Sequence, residues 1–171
     1  NSSSETSLIE MEAPKFPPKI KSLEEAIARY GEIKDRVWKG ESLWMSTLDV
    51  SPIVKYSWVS SITGHPTRLI YCNKDMQAAL TQALTNLRDR GLLSELKTFD
   101  GCFCVRSVRG HPGTPSSHSF GLAIDLNSRT NPLGYAPTLS SPFVACFTDA
   151  GFFWGGNFHR KDGMHFSLVA W

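Results

Sequence analysis

The chain has 171 residues, a hydrophobic fraction of 41%, a formal net charge of +2 and a pI of about 8.4. That length supports one domain with a core of its own. The positive charge is mild and scattered, which argues against nucleic acid but suits an anionic surface such as a cell wall, and no apolar run approaches the ~18 residues of a membrane helix.

Residues 1–20 carry Pro14, Pro17 and Pro18 among Ser and Glu. They read as a flexible tail or linker ahead of a domain over 21–171. Asn1 in place of Met, with no signal peptide in view, is the start expected of a mature product or an excised fragment. A short helix follows, with Ser22 as cap, Glu25 three residues on, and Gly31 as stop. Leu23, Ile27 and Tyr30 are its expected inward face. Residues 33–71 are aromatic, with Trp38, Trp44, Tyr56 and Trp58. These read as core or cover rather than a binding platform, and 54–60 reads as a strand. The clearest helix starts near Asn73 or Asp75 and ends at Gly91. Met76, Ala79, Leu80, Ala83, Leu84 and Leu87 recur on one face of it at helical spacing.

Phe99 to Val108 reads as a strand or hairpin arm with Arg106 near its end. A loop from His111 to Ser117 then delivers His118. From Gly121 the residues alternate: Leu122, Ile124 and Leu126 face a core, while Gly121, Ala123, Asp125 and Asn127 face the other way. An imidazole and a carboxylate brought to one cleft can hold a divalent metal, zinc above all. Residues 131–141 read as a loop and 143–150 as a short helix closed by Gly151. Asp162-Gly163-Met164-His165 then reads as a turn entering the last strand. His165 is the candidate third ligand, and two His with one carboxylate leave a fourth position open for water. Asp162 lies beside it, where Gly163 lets the backbone turn sharply; a plain Asp-Gly turn is the alternative. Strands and helices do not alternate, so the expectation is an α+β domain. Its small, mainly antiparallel sheet is flanked by helices, and the zinc site lies in a cleft on the sheet.

The pattern Ser-x-His-x-x-Gly-x-Ala-x-Asp (Ser116 to Asp125), followed by Asp-x-x-His (Asp162 to His165), resembles the M15 family of zinc peptidases. Trp154-Gly155-Gly156 and Arg106-Ser107-Val108-Arg109-Gly110 resemble two further segments of that family, so the likeness spans roughly residues 98 to 168. The family includes D-Ala-D-Ala carboxypeptidases and dipeptidases, and phage endolysins that cut peptidoglycan stem peptides. Many members have Glu where this chain has Asp162. The resemblance implies that His118, Asp125 and His165 hold Zn2+, that Asp162 moves protons, and that an arginine stabilises developing charge. Arg106 and Arg109 compete for that last role. On a regular strand they face opposite ways, so only one aims at the metal, and position against the family favours Arg106.

The implied partner is a peptidoglycan stem peptide, met outside the cell, in the periplasm or in association with a phage. The protein is expected to be a monomer with no membrane span and no nucleic acid. His111 and His159 read as surface residues. A fourth protein ligand from His159 would close the site and make it structural. The rival readings are a binding module with a structural zinc, and a metal-free wall-binding domain using Trp38, Trp44 and Trp58. Cys72, Cys102, Cys104 and Cys146 lack metal-site spacing, which leaves buried free thiols or one structural disulfide.

Overall fold

A computed structural model describes residues 19–171, so the tail expected over 1–20 lies almost wholly outside the described residues. Ile20 is buried and bridges Val169. Helix α1 (Leu23–Tyr30) forms where the sequence signals it: the Ser22 side chain accepts the Glu25 amide, and Gly31 ends the helix at φ +96°. Ala26 and Tyr30 are its buried residues, while Leu23 and Ile27 pack half-buried against the core. Strands β1 (Ile33–Lys34) and β2 (Val37–Trp38) form a small hairpin.

Helix α2 (Glu41–Trp44) leads into β3 (Met45–Asp49). The strand expected over 54–60 does not form. Asp49 accepts from the Ser51 amide and hydroxyl, and Pro52 fits a first helical turn, so the chain makes α3 (Ser51–Val54) instead. Only β4 (Val59–Ser60) remains extended there. Strand β5 (Leu69–Asn73) pairs antiparallel with β3. Trp38 and Trp58 are buried in the core, which removes them as wall-binding surface; Trp44 is half-buried beneath Arg29, and Tyr56 is exposed.

Helix α4 (Lys74–Asp89) is capped by Asn73, which accepts the Asp75 amide, and it buries all six residues of the expected face. Strand β6 (Thr98–Gly101) follows. The strand expected to continue to Val108 breaks at a bulge between Phe99 and Gly101, where Gly101 takes φ +142° and turns the chain out of the sheet. Beyond it, β7 (Ser107–Val108) and β8 (His111–Pro115) make a separate hairpin with Arg109 and Gly110 at its tip.

Strand β9 (Ala123–Leu126), helix α5 (Ser141–Thr148, capped by Ser140), β10 (Phe153–Trp154) and β11 (His165–Ser167) complete the domain. The main sheet runs β10-β11-β9-β6-β4, and every pair is antiparallel except β4 with β6. Leu122, Ile124 and Leu126 are fully buried, as their alternation requires. Across the core Phe147 lies 4.4 Å from Phe166 between ring centroids. Each such side chain contributes about 1.5–3 kcal/mol by leaving water. The result is the expected α+β domain, with the polar face of β9 and β11 left for chemistry.

All four cysteines are free; Cys72, Cys102 and Cys146 are buried and Cys104 is exposed. Among the described residues, no helix is long and apolar enough to cross a membrane.

Candidate metal centre

Asp125 on β9 sits directly opposite His165 on β11. Directly opposed residues of an antiparallel pair share a face, so the pairing alone brings carboxylate and imidazole together. His165 Nδ1 lies 3.3 Å from Asp125 Oδ1. On its other side, His165 Nε2 meets the Ser117 hydroxyl at 3.4 Å.

His118 arrives differently from expectation. It sits not in an open loop but in a 3-10 turn, Ser117–Phe120, whose cap is Ser116. The Ser116 hydroxyl accepts the His118 amide. Gly121 closes the turn at φ +65°, and a Cβ there would strike the Met45 side chain and lie 2.9 Å from the Asn73 amide nitrogen. Both the backbone conformation and the space at 121 therefore require glycine. His118 Nδ1 is 2.7 Å from the Cys102 carbonyl. A carbonyl only accepts, so Nδ1 carries the proton and Nε2 presents a lone pair.

That lone pair is the telling feature. His118 Nε2 is buried, has no hydrogen-bond partner, and lies 3.2 Å from Asp125 Oδ2. A neutral imidazole nitrogen and a carboxylate oxygen so close repel unless a proton or a cation comes between them. Burial lowers the His118 pKa, but Asp125 beside it outweighs burial and the net direction is up. For Asp125, burial pushes the carboxyl up, yet His118 and His165 prevail and hold it well below the usual carboxylate range. The candidate ligand atoms of His118, Asp125 and His165 lie within 4.8 Å of one another. Two imidazoles and a carboxylate are a donor set that suits zinc. The exposed His159 lies outside the group.

Asp162 lines the same cavity. Its carbonyl accepts the His165 amide at 3.1 Å and its amide donates to Gly155 at 2.9 Å, which fixes a four-residue turn. Burial raises its pKa; His165 opposes the rise and Asp125 adds to it. Gly163 is not there to turn the backbone, for its φ is not positive. It is there for space: a Cβ would lie 2.9 Å from Asn131 Oδ1 and 3.0 Å from Pro137 Cβ.

The Trp154-Gly155-Gly156 segment holds this turn from behind. A Cβ on Gly155 would strike the Asp162 carbonyl oxygen and lie 3.0 Å from the Cβ atoms of Asp162 and His165. A Cβ on Gly156 would strike the Trp154 indole, whose Nε1 donates to the Gly163 carbonyl at 2.9 Å.

The cavity, about 270 Å³, lies over this group. Arg106 and Arg109 both line it, Arg106 half-buried and Arg109 exposed. The regular strand expected to carry both is only the two residues of β7, which lie between them. The backbone of Arg106 is bound on both sides, its amide donating to the Ser119 hydroxyl and its carbonyl accepting from the Ser116 amide. Its positive charge helps to lower the pKa values of His118 and Asp162. Arg160, Phe158 and Trp171 also line the cavity, and sequence reasoning did not single them out. Arg160, in the basic run His159-Arg160-Lys161 just ahead of Asp162, was the one with a visible signal.

A family model of the M15 peptidases, described as D-alanyl-D-alanine carboxypeptidase, matches residues 109–168. The match contains His118, Asp125, Asp162 and His165 and begins three residues after Arg106. No curated protein and no solved structure matches the chain.

Proposed function

We propose that this chain, an M15-family peptidase by its match over residues 109–168, is a zinc-dependent hydrolase of amide bonds in peptidoglycan stem peptides. The observation that carries the proposal is the orphaned, buried His118 Nε2 facing Asp125, with His165 on the same carboxylate. His118, Asp125 and His165 are the ligands in this reading. Zinc held there supplies a water of pKa near ~7 and a Lewis acid for the scissile carbonyl.

The rest is the work of the chain. The Cys102 carbonyl and the Ser117 hydroxyl hold the two imidazoles in orientation. Asp162 accepts a proton from the attacking water and returns it to the leaving amine. Arg106 donates to the carbonyl oxygen as negative charge develops on it. Action on the cell wall implies an extracellular, periplasmic or phage-associated setting, and the protein works as a monomer.

The test is digestion of purified peptidoglycan with the products identified by mass spectrometry. New free termini in stem peptides, lost on chelation and restored by zinc, support the reading and name the bond: a terminal D-alanine for a carboxypeptidase, an internal stem bond for an endopeptidase. Binding to the wall with one zinc per chain and no products would establish the binding module instead.

A further inference from the structure

Three guanidiniums, those of Arg106, Arg109 and Arg160, line the cavity against two carboxylates, Asp125 and Asp162. Asp125 is engaged by the two imidazoles. Among the described residues, none of the three arginines forms an ion pair, although Arg29 and Arg90 elsewhere pair with Asp75 and Asp149. Like charges around one small cavity repel, and a bound anion removes that cost.

The arginines also differ in depth and setting. Arg106 is half-buried beside His118 and Asp162, while Arg109 and Arg160 are exposed. Arg109 rides the tip of the β7–β8 hairpin, and Arg160 rides the loop between Asn157 and Asp162. Each support is tied down. Trp171 Nε1 donates to the Pro115 carbonyl at 3.0 Å, and the Gly134 amide donates to the Lys161 carbonyl at 2.7 Å. Two unpaired guanidiniums, each carried on a loop whose flanking backbone is tied down, offer a planar fork of donors suited to a carboxylate.

We propose that Arg109 and Arg160 form an anion subsite that binds a substrate carboxylate remote from the amide being cut. The inference deepens the peptidase reading and rests on it for the position of the cut. It makes the substrate an anionic peptide, with Arg106 serving the reacting carbonyl and the mouth pair serving specificity. The remote carboxylate is either an acidic side chain of the peptide or its free C-terminus, since both offer the same chemistry.

Calorimetric binding to the zinc-loaded Asp162→Asn protein tests the subsite without requiring turnover. Three synthetic stem peptides are the probes: one with both carboxylates free, one amidated at the side chain, and one amidated at the C-terminus. One of the two amidations weakens binding about tenfold or more, the scale of a hydrogen bond between charged groups, and which one names the carboxylate. Arg109→Gln with Arg160→Gln abolishes that difference, and Lys at both positions restores part of it. Equal binding of all three peptides, no binding of any, or a double Gln variant that still discriminates would overturn the subsite. Cleavage of peptidoglycan together with equal binding keeps the peptidase and loses the subsite. Discrimination without cleavage by the wild type keeps the subsite and loses the peptidase.

Discussion

Asp162 and His165 line one cavity three residues apart, yet their losses have different consequences. His165→Ala removes a ligand atom from the buried set, so zinc content and activity fall together. Asp162→Asn keeps the size and removes the proton acceptor. It retains one zinc per chain by elemental analysis while turnover falls by a factor on the order of 10² to 10⁴. Asp162 also sets a pH dependence. Its pKa is raised by burial, and the ionised form is the base, so activity is gained as pH rises through that raised value. The acid limb of the kcat/KM profile is therefore assigned to Asp162, and it vanishes in Asp162→Asn. A limb that persists unchanged in that variant belongs to another group. Arg106→Ala lowers turnover by on the order of a hundredfold with zinc content intact; if Arg109→Ala does this and Arg106→Ala is silent, the roles of the two are exchanged.

At the scale of elements, the candidate ligands and Asp162 are held in place by three separate devices. The β9–β11 register sets Asp125 against His165, the capped 3-10 turn presents His118, and the Trp154-Gly155-Gly156 segment backs the Asp162 turn. Gly121→Ala introduces an L side chain at φ +65° against Met45, which costs about 1–2 kcal/mol in backbone alone and shows as a lowered denaturation midpoint together with weaker zinc binding. Ser117→Ala frees the His165 ring and weakens zinc binding by about 10–100-fold in a chelator competition, with little change in the fold.

Much of this was legible in the sequence because it is local. The Ser22 and Asn73 caps, the buried face of α4 and the alternation around Ile124 follow from spacing alone. The bulge at Gly101 was not legible, because a bulge depends on the partner strand. The strand expected over 54–60 failed where Asp49 and Pro52 start a helical turn. Gly163 does not make the sharp turn its sequence suggests; its role is to leave room for Asn131 and Pro137, which lie far off in the sequence. Arg160 stands in a visible basic run just ahead of Asp162, but only the fold brings that run to the same cavity as Arg109.

For the molecule as a whole, the core and the site are built from largely separate residues. Leu122, Ile124 and Leu126 are buried on one side of β9, with the donor set on the other. Metal removal therefore loosens the segment between His118 and His165 while α4 and its partners stay folded, a pattern that amide exchange with and without chelator resolves. The central claim is that the three-residue donor set turns the cavity into a peptidase centre. Its most direct test is product analysis of purified peptidoglycan, comparing zinc-loaded protein with metal-free protein, both verified by elemental analysis. The account predicts one zinc per chain and new stem-peptide termini in the loaded sample alone. Equal cleavage by verified metal-free protein, or no cleavage by protein carrying its full zinc, would contradict it.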